Sequence, residues 1–244
     1  GIGAVVVFND VTRLRRLEQV RRDFVANVSH ELRTPITSIK GFVETLLDGA
    51  INTPDDARRF LEIVAKQSDR LNAILSDLLT LSHIEEGEEK KSIDVEVTGI
   101  RDTLEAAMQL CSKKASAKDI QIYLECDQDV KACINPPLLE QAVTNLIDNA
   151  IKYSPANSDV VVRAAQQDEV VIQVEDHGCG VAAEHLPRLF ERFYRADKAR
   201  SRALGGTGLG LSIVNHVITA HGGRVTVEST PDAGSTFSIY LPTA

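Results

Sequence analysis

The 244-residue sequence predicts a long helical hairpin followed by an α+β domain, one mixed sheet covered on one face by helices. Three observations carry that expectation. Two stretches of about 35 residues repeat apolar side chains at a spacing of three to four. A charged run, Glu85 to Lys91, follows them. Beyond it, short apolar alternations are interleaved with helical segments.

Taken in order, residues 3–8 read as a buried strand, the end of a domain lying upstream. A helical pattern runs from about Thr12 to Asp48 and closes at Gly49. Thr53-Pro54-Asp55-Asp56 opens the second helix, with Thr as N-cap, Pro at N1 and an acidic residue at N3. Its apolar positions are Phe60, Val64, Leu71, Ile74, Leu78 and Leu81, with polar Gln67 on the seam, and it ends near Gly87. Each helix spans on the order of 50 Å at 1.5 Å per residue. One hairpin cannot bury both apolar stripes, whereas two copies in a four-helix bundle can, so a homodimer is expected. Strands are expected at 93–97, 120–124, 160–163, 170–175, 224–228 and 236–241, with helices near 99–116, 136–152 and 209–220. Pro231-Asp232-Ala233-Gly234 reads as the turn of a closing hairpin.

A net charge of -8 argues against a nucleic-acid binder, whose affinity rests on phosphate neutralisation. Positive contacts to an anionic ligand must be local, as in the cluster Arg192, Arg195, Lys198, Arg200 and Arg202. Cys111, Cys126, Cys133 and Cys179 form no CxxC pair and read as reduced buried thiols of a cytosolic protein. No apolar run reaches the ~20 residues of a membrane helix. The chain begins at Gly1 and its only Met is Met108, so a fragment is expected, and a membrane anchor would lie in segments outside this sequence.

Ser29-His30-Glu31-Leu32-Arg33-Thr34-Pro35 places an imidazole beside a carboxylate on the first helix. Val25, Val28, Leu32, Ile36, Ile39, Val43 and Leu46 share one arc, and His30 points roughly 165° away from its centre, into solvent. Thr34 lies on the same outward stripe, and Glu31 about a right angle from the core face. Pro35 removes the N–H that would serve the carbonyl of Glu31, so a bend is expected there. His30 is either a solvated surface histidine or a nucleophile whose proton a nearby carboxylate receives. Thr34 in place of a second His excludes an HExxH metalloprotease.

No P-loop is present, and Ile213 breaks a dinucleotide-type GxGxxG read from Gly208. Gly206-Thr207-Gly208-Leu209-Gly210-Leu211 leads directly into a helix, where small residues let backbone N–H groups approach phosphate oxygens. On the helix from Pro136, Glu140, Asn145, Asn149 and Lys152 recur close to one face. They are either solvent-facing polar residues or a site in which two amide oxygens take Mg²⁺ and Lys152 meets phosphate. Asp176, before Gly178 and Gly180, is a turn aspartate or an acceptor for an exocyclic amine. His221 before two glycines reads as a helix C-terminal cap, and His177 as a substituted turn residue.

In this order the motifs resemble the sensor histidine kinases of two-component signalling, of the phosphate-regulon and cell-wall type. The H box is His30 to Pro35, the N box Asn145 to Ser154 and the G1 box Asp176 to Gly180; Phe190 to Arg195 is the F box and Gly206 to Leu211 the G2 box. The resemblance implies a dimeric histidine-phosphotransfer hairpin at 12–88 and a Bergerat-type (GHKL-like) α/β sandwich at 92–244, with 1–11 ending a PAS-like domain. It implies His30 as phosphoacceptor, Glu31 as base and Thr34 as the residue positioning water in a phosphatase reaction. Asn149 and Asn145 would hold Mg²⁺, Lys152 and Arg195 would touch phosphates, and Tyr153 would stack near adenine. Asp176 would read the adenine amine, with Gly178, Gly180, Gly206, Thr207, Gly208, Leu209, Gly210 and Leu211 lining the ATP site. Residues 194–205 would be a mobile lid. His177 stands where the family usually has Asn, and Cys179 where it has an apolar residue.

The expected function is ATP-dependent autophosphorylation on His30 and transfer to an Asp of a response-regulator receiver domain, in the cytoplasmic part of a membrane-anchored sensor. The rivals are an ATPase or Ser/Thr kinase with His30 inert, a non-catalytic nucleotide-binding scaffold, and a sensor acting mainly as a phosphatase.

Overall fold

The computed structural model describes residues 10–89, 93–127, 129–197 and 206–243. The strand expected at 3–8, and residues 198–205 with Lys198, Arg200 and Arg202, lie outside the described residues.

The chain divides into two compact units, Gly1–Asn72 and Ala73–Ala244. The first contains helix α1 (Thr12–Leu47), a 3-10 turn (Ala50–Asn52) and the first part of helix α2 (Pro54–Glu89). Gly49, at φ 122°, adopts the left-handed backbone that ends α1. Thr53 is extended, and α2 starts at Pro54 with Asp55 and Asp56 in its first turn, where carboxylates favour the helix dipole. The helix α1 continues through Pro35, whose ring is buried. Phe42 and Phe60 meet across the hairpin with ring centroids 5.4 Å apart.

The apolar arc of α1 does not act as one buried stripe. Leu46 is buried and Val28, Leu32 and Ile39 are half-buried, while Val25, Ile36 and Val43 remain 57%, 53% and 39% exposed. A neighbouring helix covers only part of so wide an arc. Leu47, Ile51 and Leu61 add to the exposed apolar surface.

The second unit begins within α2, whose Ile74, Leu81 and Ile84 are buried. It continues with β1 (Glu96–Gly99), α3 (Arg101–Ser116), β2 (Gln121–Cys126), β3 (Lys131–Ile134), α4 (Pro136–Tyr153), β4 (Asp159–Gln166), β5 (Glu169–Asp176), α5 (Gly210–Ala220), β6 (Arg224–Thr230) and β7 (Gly234–Pro242). The main sheet has the order β2-β4-β5-β7-β6, with β2 parallel to β4 and the other pairs antiparallel. Val160, Val162, Val170, Ile172, Val174, Phe237, Ile239 and Leu241 alternate onto its buried face, which α4 and α5 cover. Polar residues such as Arg163, Glu175 and Gln173 occupy the other face.

Two corrections follow. The sheet is not single: β1 and β3 form a separate two-stranded antiparallel sheet, and β3 has no counterpart in the sequence expectation. The strand expected at 93–97 lies instead at Glu96–Gly99, because that segment pairs with Lys131–Ile134. Cys111 and Cys126 are buried as expected, whereas Cys133 and Cys179 are half-buried. No helix among the described residues is long and apolar enough to cross a membrane.

Candidate active site

The exposed imidazole of His30 lies on α1, as its angular position requires. One turn on, the Thr34 hydroxyl donates to the His30 carbonyl at 3.1 Å. One residue on, Glu31 turns toward α2, where Arg70 Nη2 donates to its Oε2 at 3.0 Å. The two side chains of this pair are only 17% and 12% exposed. Arg70 and Glu31 lie about equally far from the turn at Ala50–Asn52, which brings them level in an antiparallel hairpin.

In the second unit α4 is the spine of the other half of the chemistry. Its N-cap is Asn135, whose side-chain oxygen accepts from the Leu138 N–H at 3.2 Å, with Pro136 at the first helical position. Leu139, Ala142, Val143, Leu146, Ile147, Ala150 and Ile151 form the buried face. Asn145, Asn149 and Lys152 stand half-buried beside it. Asn145 Oδ1 lies 3.5 Å from where a Cβ of Gly210 would sit, so the Asn face and the Gly-rich turn meet. Lys152 reaches Asp148 at 2.6 Å, and Lys114 reaches the same carboxylate at 2.5 Å. Burial would push the Asp148 carboxyl up, yet the two ammonium groups hold it below the usual carboxylate range.

The other end of α4 meets the Asp-Gly turn. Asp176, 7% exposed, ends β5 and accepts from the Gly178 N–H at 2.8 Å. A Cβ on Gly178 would come within 2.7 Å of Asp176 Oδ1 and 2.8 Å of the Tyr153 carbonyl, so no larger residue fits there. Burial pushes the Asp176 carboxyl up, against the backbone N–H groups of Gly178 and Ser235 that favour its charged form. Gly180 and Cys179 continue this turn, whose Cys179 carbonyl accepts from Asp232 N–H at 2.9 Å. His177 is exposed.

Gly206 is buried and Leu209, fully buried, is the N-cap of α5, which begins at Gly210 and Leu211. Gly208 has φ 79°, and a Cβ there would stand 2.9 Å from Phe193 Cα. Phe193 N–H donates to the Gly208 carbonyl at 2.8 Å and Arg195 Nη2 to the Thr207 carbonyl at 2.7 Å. The F and G2 segments are thereby stitched together. The Thr207 hydroxyl donates to Asp77 Oδ2 on α2 at 2.8 Å and accepts from the Leu209 N–H at 3.2 Å. Burial pushes the Asp77 carboxyl up, partly offset by Thr207 and Lys152.

The structure thus brings Asn145, Gly210, Thr207 and Arg195 together around the turn before α5, and Tyr153, Asp176 and Gly178 together at the far end of α4. Sequence reasoning missed Arg70, Asp77, Asp148 and Lys118. Asp148 lies inside the Asn-rich motif and could have been read from it; the others depend on tertiary approach.

A hard cation fits the α4 face. The buried, unpartnered Asn145 amide nitrogen is a donor and cannot ligate a cation; the atom that could is Oδ1, which faces the Gly-rich turn 3.5 Å from where a Cβ of Gly210 would sit. No group of three or more His, Cys, Asp or Glu among the described residues could hold a metal alone. Two amide oxygens with water and phosphate completing the shell suit Mg²⁺.

An α/β domain with a nucleotide cradle, joined to a hairpin bearing an exposed histidine, is the class that fold and site define. Two family profiles match: the His Kinase A (phospho-acceptor) domain over residues 20–87, and the histidine kinase-, DNA gyrase B-, and HSP90-like ATPase over residues 134–244. The chain belongs to the sensor histidine kinases of two-component signalling. Sensor-like histidine kinase SenX3 of Mycolicibacterium smegmatis is 41% identical over 98% of this chain and 62% of its own length. The phosphate regulon sensor protein PhoR of Pseudomonas aeruginosa is 39% identical over 98% of this chain and 54% of its own. The chain therefore spans about half to three fifths of these relatives. Among solved structures, the Acinetobacter baumannii histidine kinase AdeS matches with TM-score 0.70 and 26% identity, over 88% of this chain and 98% of its own. Full-length ShkA in complex with AMPPNP matches with TM-score 0.63 and 26% identity, over 93% of this chain and 46% of its own. ThkA in complex with response regulator TrrA, at 22% identity and TM-score 0.72 over 97% of this chain and 68% of its own, shares the fold.

Proposed function

We propose that this chain is the kinase core of a sensor that autophosphorylates His30 from ATP and passes the phosphoryl group to an Asp of a response-regulator receiver domain. The observation that carries the reading is the pairing of an exposed imidazole in the phospho-acceptor hairpin with a Gly-rich turn abutting the Asn face of α4. The working domains are a hairpin at 12–88 and a catalytic domain at 92–244. The chain is the cytoplasmic part of a membrane-anchored sensor.

Asp176 receives the adenine amine, Tyr153 stacks beside the ring, and Gly178 and Gly180 shape the turn that holds Asp176, a Cβ on either meeting the chain's own atoms. Gly206, Thr207, Gly208, Leu209, Gly210 and Leu211 present backbone N–H groups at a helix N-terminus, where the dipole favours phosphate. Lys152 and Arg195 add positive charge. Asn149 and Asn145 would hold Mg²⁺, which when bound supplies charge neutralisation. His30 attacks the γ-phosphorus in line; the bond to the β–γ bridging oxygen breaks, ADP leaves, and the imidazole proton passes to Glu31. Positioning and charge neutralisation supply most of the rate. Thr34, on the same stripe, orients water when the sensor dephosphorylates its regulator.

The exposed Val25, Ile36, Val43 and Leu47 are the surface through which two copies form the four-helix bundle. Light scattering of an Ile36→Arg, Val43→Arg variant will then report a monomer. The activity is tested with γ-labelled ATP and Mg²⁺. Label that is acid-labile, alkali-stable and absent from His30→Gln supports the reading. Absence of label, or label surviving in His30→Gln, overturns it.

A further inference from the structure

The ion pair between Arg70 and Glu31 is an unusual thing to place between the helices of a hairpin. Nη2 of Arg70 donates to Oε2 of Glu31 at 3.0 Å, with side chains 12% and 17% exposed. Arg70 Nε is buried with no hydrogen-bond partner, which carries a desolvation cost. An apolar pair of similar volume would serve helix packing as well or better. Stability alone therefore does not account for it.

What an apolar pair could not do is fix a carboxylate. Glu31 follows His30 directly, about 100° around α1. A glutamate on a helix surface samples several rotamers, whereas a single charge-assisted bond from a cation held in the interhelix groove restricts it. Arg70 comes from α2, 39 residues away in sequence, so its contact also ties the carboxylate to the register of the hairpin. Any slip of α2 against α1 moves the anchor of the group beside the imidazole.

We infer that Arg70 is a positioning residue for phosphoryl transfer to His30, holding the Glu31 carboxylate in the orientation from which it receives the imidazole proton. The inference rests on the reading of Glu31 as proton acceptor. It places a determinant of rate on the helix that carries neither the histidine nor the nucleotide cradle motifs.

The test uses the full chain with Arg70→Met, Arg70→Lys and Glu31→Gln variants. The readouts are the initial rate of His30 labelling across ATP concentrations and the helical thermal transition. Arg70→Met is expected to lower kcat about tenfold or more with KM for ATP unchanged, and Arg70→Lys to recover to within about threefold of wild type. Adding Arg70→Met to Glu31→Gln should cost nothing further. A wild-type kcat in Arg70→Met, or equal losses in Met and Lys variants that melt as wild type does, overturns the inference. Should Arg70→Met fail to fold, an Arg70→Lys rate more than threefold below wild type does so. A Glu31→Gln chain labelling at the wild-type rate instead overturns the proton-acceptor reading itself.

Discussion

The Thr207 hydroxyl, in the turn proposed to cradle phosphate, donates a 2.8 Å hydrogen bond to the carboxylate of Asp77 on α2. The same carboxylate feels Lys152 and Asp148, so a resident anion sits where an anionic ligand is expected. A triphosphate approaching this turn meets like charge. Removing that charge with Asp77→Asn should tighten nucleotide binding roughly fivefold, about 1 kcal/mol for a partly screened pair. Titration with a non-hydrolysable ATP analogue checks it; unchanged or weaker binding would contradict the role given to Asp77.

Asp176 separates stability from function. Burial makes its charged form costly in the folded chain. Asp176→Asn should therefore leave the thermal transition unchanged or slightly raised at neutral pH. It should also weaken ATP binding by about tenfold or more, the scale of a hydrogen bond to a charged acceptor. Calorimetric melting and nucleotide titration on the same sample test both halves. A large fall in stability would mean that Asp176 serves the fold first.

His221 supplies the pH dependence. Its Nε2 accepts from the Asn135 N–H at 2.9 Å and its Nδ1 faces the Val217 carbonyl at 2.7 Å, so the folded chain holds a neutral ring protonated at Nδ1. Burial keeps its pKa below the ordinary value of 6.5 despite the Val217 carbonyl, and the Asn135 N–H, which Nε2 accepts only when unprotonated, works in the same direction as burial. The unfolded chain therefore takes up the proton first as pH falls. Stability from this group is complete above pH 6.5, declines as the pH drops toward the lowered folded value, and levels off beneath it. Urea unfolding from pH 8 to pH 5 should show that decline in wild type and a flatter profile in His221→Gln.

Lys118 closes the C-terminal end of α4. Its ammonium donates to the carbonyls of Ile151, Lys152 and Ser154 at 2.8, 2.9 and 3.0 Å, groups that helix geometry leaves without partners. Lys118→Met should cost about 2–3 kcal/mol in chemical unfolding. It should also weaken nucleotide binding, because Lys152 and Tyr153 stand on the turn being held. A loss under about 0.5 kcal/mol would place those carbonyls in water instead.

Long-period features were legible in the sequence and short tertiary contacts were not. The two hairpin helices emerge from sustained apolar spacing, and their ends from Gly49 and Pro54. The strand Lys131–Ile134 escaped because four residues alternating once carry almost no periodic signal. Its absence also displaced the strand that pairs with it, Glu96–Gly99. Asn145, Asp176 and the Gly206–Leu211 turn could be proposed from the sequence because each motif is contiguous. Arg70, Asp77 and Lys118 meet partners 39, 130 and 33 to 36 residues away, and no local pattern encodes such an approach. The neighbours of Lys152 and Arg195 were hidden for the same reason: one pairs with Asp148, and the other braces the Thr207 carbonyl.

The central claim is that the outward imidazole of His30 takes the terminal phosphoryl group of ATP. Peptide mapping by mass spectrometry after incubation with Mg²⁺ and ATP, under conditions that preserve phosphoramidates, tests it most directly. A single phosphoryl group on His30, in wild type and not in Asn149→Ala, is the predicted result. Phosphate on a serine or threonine, or an unmodified His30 while ATP is consumed, would contradict it.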